Sequence, residues 1–190
     1  ILQQHEEIEE LNEQLAPFKI FKSIESDILY DGSLDYPDEI LSKFDLVIAS
    51  IHSHLQMTEE KAMERVLKAI ENPFTTILGH PTGRLLLSRP GYPLNMEKVI
   101  AHCKKYDVAI EINAHPRRLD LDWSFISATQ ESGVKLSINP DAHSTEGISM
   151  IKFGVKAAQK GGLRSKQNLS SMSLAEFNTF LKAQKSKHLV

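Results

Sequence analysis

Five short polar clusters hold the side chains of this sequence that are most suited to chemistry. Each cluster directly follows an apolar run, and together they contain carboxylates, histidines, an asparagine and arginines. Their members are Glu25 and Asp27, His52 and His54, His80 and Arg84, Asn113, His115 and Arg117, and Asp141 and His143. Imidazole and carboxylate groups are the ligands that zinc, manganese and iron(II) take in proteins. If the fold brings the clusters together, they form a metal centre with arginines beside it.

The composition excludes several other kinds of site and protein. The chain has 190 residues, of which 41% are hydrophobic and 25% charged, and a formal net charge of −3. These values are typical of one soluble globular domain, which we place at residues 1–190. The single cysteine, Cys103, cannot form an intrachain disulfide or a thiolate-rich metal site, so a reducing, cytoplasmic location is expected. No apolar run approaches the ~20 residues of a membrane helix, which predicts that the chain has no membrane partner.

Alternating strand and helix patterns explain how the clusters come together. The apolar runs are short and rich in β-branched residues, which is typical of parallel strands buried on both faces. They lie at residues 18–23, 46–51, 75–78, 108–112 and 134–138. Helical segments between and after them begin at N-cap residues such as Thr58, Asn95 and Ser173. This alternation predicts an α/β fold with a parallel sheet, open or closed into a barrel, whose carboxyl-terminal edge collects the clusters.

Each cluster residue also has an ordinary structural explanation. Glu25 could be a surface acid, His52 a histidine of the core, and Asp141 the N-cap of the next helix. Singly these signals are weak, but jointly, at one edge of one sheet, they favour a metal centre. The remaining histidines are expected at the surface, and Cys103 is expected in the core. These histidines are His5, His102 and His188.

Two arginines and a basic C-terminal segment are the candidates for anion binding. Arg84 and Arg117 could bind phosphate oxygens through two parallel hydrogen bonds, or they could form ordinary surface ion pairs. Residues 152–190 contain eight basic side chains and one acidic side chain. That segment is either a solvated helical surface or a contact with nucleic acid or a neighbouring domain.

Five motifs of the sequence resemble those of the PHP (polymerase and histidinol phosphatase) family. They lie at residues 23–29, 47–53, 79–87, 111–123 and 139–144. The run from His80 to Arg84, with the later Asn113-Ala and Arg118-Leu-Asp-Leu, is similar to the branch found at the C-terminus of bacterial family X DNA polymerases. The resemblance covers essentially the whole chain. It implies a distorted (β/α)7 barrel with up to three divalent ions (manganese, zinc or iron(II)) that hydrolyses phosphate esters with metal-activated water.

The resemblance also implies roles for individual residues. Glu25 corresponds to a carboxylate that bridges two metals, and His52 and His80 correspond to ligands of one of them. Asp141 would bind the second metal of that pair, and His143 the third. The positions of three further residues suggest additional contacts apart from the resemblance: His54 as a second metal ligand two residues from His52, His115 with the substrate, and Asn113 beside the site.

Two motifs of the family have no counterpart here: a His-x-His after the first strand and an Asp-His after the second. We therefore expect an N-terminally truncated, incomplete barrel whose first strands are missing from this chain. Only one metal would keep its full set of family ligands, from Glu25, His52 and His80. Such a fragment is expected to have impaired activity and to self-associate through an exposed sheet edge.

The polymerase-linked resemblance implies an enzyme that processes DNA. The expected activity is 3′–5′ exonuclease or related DNA 3′-end processing in DNA repair, with DNA and the polymerase domains of the same chain as partners. A stand-alone phosphomonoesterase resembling histidinol phosphatase is the first alternative, because a net charge of −3 lacks the basic footprint of a DNA-binding protein. A non-catalytic metal-binding scaffold is the second alternative.

Overall fold

A computed structural model describes residues 1–187, so the expectation for His188 lies outside the described residues. Five β-strands alternate with helices along the chain. The strands are β1 (Ser23–Asp27), β2 (Leu46–Ser50), β3 (Thr75–Leu78), β4 (Ala109–Asn113) and β5 (Leu136–Asn139). The helices are α1 (Leu2–Leu15), α2 (Asp38–Leu41), α3 (Glu59–Glu71), α4 (Met96–Tyr106), α5 (Ile126–Glu131), α6 (Ile151–Lys160) and α7 (Leu174–Ser186). Short 3₁₀ turns lie at Trp123–Phe125, Glu146–Met150, Ser165–Gln167 and Leu169–Ser171.

The five strands form one parallel sheet in the order β1-β2-β3-β4-β5. Neighbouring strands are consecutive in the sequence and are joined by crossovers that contain helices, as in a TIM-like barrel. The sheet is not closed, because β1 and β5 form its two edges. The prediction of an incomplete α/β barrel is therefore confirmed, while self-association through an edge stays a prediction. No helix within residues 1–187 is long and apolar enough to cross a membrane.

Side chains of the strands alternate between two apolar layers on opposite faces of the sheet. Val47 and Ala49 of β2 lie in the larger layer, together with residues of α3 and α4. Leu46 and Ile48 of the same strand lie in the other layer, with the C-terminal segment. That segment contributes Leu169, Met172, Phe177 and Phe180. Burial on both faces fixes the strands, so that their carboxyl ends are held in one row.

The helix starts agree with the predicted capping residues. The Thr58 hydroxyl accepts a hydrogen bond from the backbone N of Lys61 at 3.3 Å, and Asn95 caps α4 in the same way. Ser173 begins α7 with a complete capping box. Cys103 is fully buried in α4, which confirms its place in the core.

The first strand lies later in the sequence than predicted. The apolar pattern predicts a strand at residues 18–23, but β1 spans Ser23–Asp27. Phe18 is 66% exposed, and backbone pairing with β2 begins only at Ser23. Pairing with a neighbour therefore sets this strand, rather than its own apolar residues. As a result, Glu25 lies on the strand and not after it.

His5 is buried, so the prediction that it lies at the surface is wrong. Its ring packs edge to face against Phe44 with 4.9 Å between the ring centroids, and burial lowers its pKa. The reason is that α1 packs this side of the helix against the turn before β2. His102 is half-buried, and its Nε2 lies 3.0 Å from Glu71 Oε1.

Candidate metal centre

Glu25, His52 and His80 come together at the carboxyl-terminal edge of the sheet. Glu25 lies on β1, while His52 and His80 each stand two residues after the end of β2 and β3. Glu25 Oε1 lies 3.4 Å from His52 Nε2 and 3.2 Å from His80 Nε2, and the two Nε2 atoms are 3.2 Å apart. Three potential ligand atoms therefore converge on one point.

The spacing of these three atoms suits a divalent metal ion. Bonds of ~2.0–2.2 Å from a tetrahedral metal to nitrogen and oxygen separate the ligand atoms by roughly 3.3–3.6 Å. The observed separations of 3.2, 3.2 and 3.4 Å are close to this range. Zinc, manganese and iron(II) all accept two imidazoles and a carboxylate, so the ligand set does not choose among them. Within residues 1–187 this is the one cluster of three His, Cys, Asp or Glu residues whose ligand atoms lie this close together.

Asp27 orients the His52 ring. Its Oδ1 lies 2.5 Å from His52 Nδ1, so Nδ1 donates a hydrogen bond to the carboxylate and Nε2 faces Glu25 and His80. The hydrogen bond to Glu25 raises the pKa of His52 to about 9. Burial opposes this rise, and the hydrogen bond to Asp27 adds to it. Burial tends to raise the pKa of Glu25, but hydrogen bonds from His52 and His80 outweigh it and hold that pKa well below its usual range.

In the metal-free protein we expect the His52 ring to titrate near pH 9 instead of near pH 6.5. Because the folded-state pKa is the higher one, protonated His52 stabilises the fold fully below pH 6.5, and this contribution is lost as the pH rises through about 9. Histidine-ring NMR during a pH titration measures the value, and His52→Gln assigns the signal. Asp27→Asn should lower the pKa. A wild-type pKa near 6.5 would contradict the pairing of His52 with Glu25 and Asp27.

His80 is held rigidly in the protein interior. Its side chain is 1% exposed, and its backbone N donates a hydrogen bond to Glu111 Oε2 at 2.7 Å. Its φ of 22° lies outside the common backbone regions. A Cβ on the preceding Gly79 would lie 2.3 Å from Ser50 Oγ, so β2 and β3 approach closely here. This close approach and the hydrogen bond from the His80 backbone N to Glu111 fix the backbone position from which the imidazole extends.

Glu111 is a buried carboxylate on β4 that links two parts of the site. Besides His80, it accepts hydrogen bonds from Asn113 Nδ2 at 3.3 Å and Asn139 Nδ2 at 2.8 Å. Burial raises the pKa of Glu111, and these hydrogen bonds oppose that rise. Asn113 Nδ2 also donates to Asp141 Oδ2 at 3.0 Å. A chain of hydrogen bonds therefore connects His80 to Asp141.

We expect Glu111→Gln to weaken the binding of a divalent ion by roughly 10- to 100-fold, the usual effect of losing a partner that orients a metal ligand. The amide keeps one acceptor oxygen but turns an NH₂ group toward His80 or Asn139, so at least one buried hydrogen bond is lost. Titration calorimetry with manganese measures the affinity. Glu131→Gln, at an exposed acid of α5, is the control. Equal affinities in the two variants would show that Glu111 does not position His80.

This chain is similar in sequence to bacterial enzymes. It is 43% identical over 180 residues to the DNA polymerase/3′-5′ exonuclease PolX of Bacillus subtilis (strain 168), covering 95% of this chain and 32% of that protein. It is 30% identical over 187 residues to a probable phosphatase of Thermoanaerobacter sp. (strain X514), covering 93% of this chain and 74% of that protein. The chain belongs to the PHP family. It spans about a third of the length of its PolX relative, and no family model matches it.

Asp141 and His143 of this PHP domain lie beside the triad and not within it. Asp141 follows β5 and is joined to the triad through Asn113 and Glu111. The His143 side chain is 84% exposed, and its Nδ1 lies 3.0 Å from the backbone oxygen of Asp141. Within residues 1–187, neither belongs to the cluster of close ligand atoms. Their assignment to the second and third metals stays a prediction.

The two candidate phosphate-binding arginines of the PHP domain differ in their surroundings. The Arg84 guanidinium donates to Asp122 Oδ2 at 2.7 Å, to the backbone oxygen of Arg118 at 2.9 Å and to that of Leu119. These contacts tie the segment after β3 to the segment after β4. Arg117 is exposed at the surface. A phosphate-binding role stays a prediction for both, and it suits Arg117 better because the Arg84 guanidinium already has partners.

The additional predicted residues have local roles in the PHP domain. His54 has a φ of 53°, and its ring packs against Tyr30 with 5.3 Å between the ring centroids. His115 Nδ1 accepts a hydrogen bond from the backbone N of Arg117 at 3.2 Å. Contacts of these two histidines with the metal centre stay predictions. Asn113, in contrast, takes part in the hydrogen-bond chain beside the triad.

Sequence reasoning missed several polar residues that support the PHP site. Glu111 and Asn139 are two of them, since Glu111 accepts hydrogen bonds from His80 and from Asn139, and Asp120 is a third. It is fully buried, its Oδ2 accepts hydrogen bonds from the backbone N and the hydroxyl of Thr82 at 3.0 Å each, and burial raises its pKa. A detectable signal exists for Glu111, because a carboxylate inside an apolar strand requires buried partners.

Proposed function

We propose that this PHP phosphoesterase domain hydrolyses phosphodiester bonds of DNA, as a metal-dependent 3′–5′ exonuclease or in related processing of DNA 3′ ends. One observation carries the proposal: Glu25, His52 and His80 place three ligand atoms 3.2–3.4 Å apart at the carboxyl-terminal edge of a parallel sheet. The 43% identity to a protein named as a polymerase and exonuclease supports DNA as the substrate. In this proposal residues 1–190 are one domain of a cytoplasmic DNA repair protein that also contains polymerase domains.

Each residue of the site then has a defined task. Glu25, His52 and His80 would hold a divalent ion, which would supply the Lewis acidity that polarises a phosphoryl oxygen and lowers the pKa of a bound water. Asp27 accepts the hydrogen bond from Nδ1 of His52, so Nε2 is the nitrogen that would bind the metal once its own proton is displaced. The exposed Arg117 binds the non-bridging phosphate oxygens and stabilises the negative charge that they gain during hydrolysis.

Cys103 does not serve as a nucleophile in this proposal. It is fully buried in α4, and burial raises the pKa of its thiol to about 12. The thiol therefore stays protonated at neutral pH and out of reach of a substrate. In this proposal water attacks phosphorus directly and the P–O3′ bond breaks. The 3′ oxygen of the shortened strand leaves and takes up a proton, and a nucleoside 5′-monophosphate is released.

A phosphomonoesterase is the second candidate. The Thermoanaerobacter relative is named as a probable phosphatase, and a net charge of −3 lacks the basic character expected of a DNA-binding domain. A non-catalytic metal-binding scaffold is the third candidate. The family resemblance implies up to three metals, but residues 1–187 contain a single close cluster of three ligands. This shortage of ligands favours the scaffold.

Hydrolysis assays separate these candidates. The chain is incubated with manganese or zinc and either a 5′-labelled single-stranded oligonucleotide or p-nitrophenyl phosphate. Our proposal expects stepwise shortening of the oligonucleotide from its 3′ end, which EDTA and His80→Ala abolish and Asp31→Asn, at an exposed acid, does not. Cleavage of the monoester alone would support the phosphatase. Metal binding by calorimetry without hydrolysis of either substrate would support the scaffold.

A further inference from the structure

Helix α6 carries a row of exposed lysines that the metal centre does not use. Lys152, Lys156 and Lys160 are four residues apart, so they lie on one side of the helix at intervals of roughly 6 Å along its axis. All three are exposed, and none forms an ion pair within residues 1–187. We name this row the lysine stripe.

The charge of the lysine stripe is also uncompensated along the sequence. Residues 147–175 contain five basic side chains and no acidic side chain. Like charges at four-residue spacing repel each other and destabilise a helix. A surface that keeps this repulsion, with no carboxylate nearby in the sequence, is complementary in charge to a polyanion.

Two aromatic rings order the ends of the lysine stripe. Lys160 Nζ lies 4.1 Å from the centroid of the Trp123 ring, and Lys152 Nζ lies 5.2 Å from that of Phe153. Contacts between a cation and an aromatic face attract the ammonium group and restrict the lysine side chain. Because these side chains are already restricted, they lose less conformational entropy when they bind a partner.

The lysine stripe begins near the carboxyl-terminal ends of the strands, which is also the end of the sheet that carries the metal centre. Helix α6 follows β5 and the segment that carries Asp141 and His143, so its first turn lies near the carboxyl-terminal edge. The helix is fixed closely against the sheet, since a Cβ on Gly154 would lie 2.5 Å from Ala114 Cβ. The stripe therefore extends along the outside of the domain, away from the candidate metal centre.

We propose that the lysine stripe binds the phosphate backbone of the DNA strand whose 3′ end enters the metal centre. This inference rests on the proposed function, because it takes DNA as the substrate. The stripe is roughly 12 Å long, and one strand of duplex DNA has a phosphate every ~3.4 Å along the helix axis. Its three ammonium groups therefore match a segment of about four phosphates. Such contacts hold the strand without reading its base sequence.

Fluorescence anisotropy with a labelled single-stranded oligonucleotide tests this surface. The protein is kept metal-free with EDTA, so that binding is measured without hydrolysis. The triple variant Lys152→Glu, Lys156→Glu and Lys160→Glu should bind on the order of a hundredfold more weakly at ~0.1 M salt. The magnitude of the slope of log affinity against log salt concentration should fall by about 2. Each of the three lysines makes one phosphate contact, and each contact on a single strand contributes roughly 0.7 to the slope.

A matched control reverses the charge of three exposed lysines on other parts of the domain, Lys43, Lys98 and Lys182. This control has the same net charge as the stripe variant, and we expect it to bind DNA nearly as tightly as the wild type does. Lys156→Glu alone places a carboxylate one turn from both other lysines, so it should raise the Tm while it weakens DNA binding. Misfolding therefore cannot account for the loss.

Equal losses of DNA affinity in the stripe variant and the control would overturn the proposal. Unchanged DNA binding in the stripe variant would also overturn it, and a changed oligomeric state in that variant would assign the lysine stripe to a protein partner. The proposed function fails in a different way. If the stripe variant alone loses DNA binding but the metal-loaded wild type leaves DNA intact, the lysine stripe is a DNA-binding surface, and the exonuclease proposal falls together with the entry of a 3′ end into the metal centre.

Discussion

Glu25→Gln is expected to lower both the affinity for a divalent ion and the rate of phosphoester hydrolysis by at least about a thousandfold, equivalent to ~4 kcal/mol. Glu25 supplies the only negative charge of the triad, and its Oε1 faces the Nε2 atoms of His52 and His80. Glutamine has nearly the same shape, so the substitution removes the charge with little change in packing. An amide oxygen is also a weaker ligand than a carboxylate for a divalent cation.

Calorimetry with manganese or zinc and a hydrolysis assay measure the two losses. Glu60→Gln, at an exposed acid in the first turn of α3, is the matched control and should leave both values unchanged. The pKa of His52 is a second readout of its pairing with Glu25. Loss of the Glu25 carboxylate removes the main cause of the raised pKa of His52. NMR should therefore show His52 titrating at a lower pH in the variant. Metal affinity equal to that of the control would exclude Glu25 as a ligand.

The position of the triad follows from a property of parallel sheets. Their carboxyl ends share one edge, so polar residues that directly follow successive strands come close together. The apolar runs at residues 46–51 and 75–78 locate β2 and β3 to within one residue, and thereby place His52 and His80 at that edge. Local sequence was sufficient here because these strands are buried on both faces and therefore consist of apolar residues.

Other features could not be predicted, because they depend on partners distant in the chain. The start of β1 is set by pairing with β2 and not by its own residues. The role of Glu111 depends on His80, 31 positions away, and that of Arg84 depends on Asp122, 38 positions away. An arginine that follows a strand looks the same in the sequence whether it is free to bind phosphate or ties two loops together.

Arg65 of α3 is a further residue whose role only the fold reveals, and its loss should be strongly destabilising. The side chain is completely buried. Its guanidinium donates to the backbone oxygens of Leu29 at 2.9 Å, Ile28 at 2.6 Å and Ser53 at 3.1 Å. These oxygens belong to the segments that follow β1 and β2. Arg65 therefore joins the two segments next to Asp27 and His52.

Arg65→Met keeps much of the side-chain volume but leaves these carbonyl groups buried without donors. We expect the free energy of unfolding to fall by about 3–5 kcal/mol, since hydrogen bonds from a charged donor contribute more than neutral ones and their buried acceptors remain desolvated. Urea denaturation of the metal-free protein measures this change, and Lys68→Met, at an exposed lysine on the same helix, is the control. Metal affinity should fall as well, because the segments after β1 and β2 would no longer hold Glu25 and His52 at a fixed separation. A variant that unfolds like the control and binds metal like the wild type would show that the strands alone position the triad.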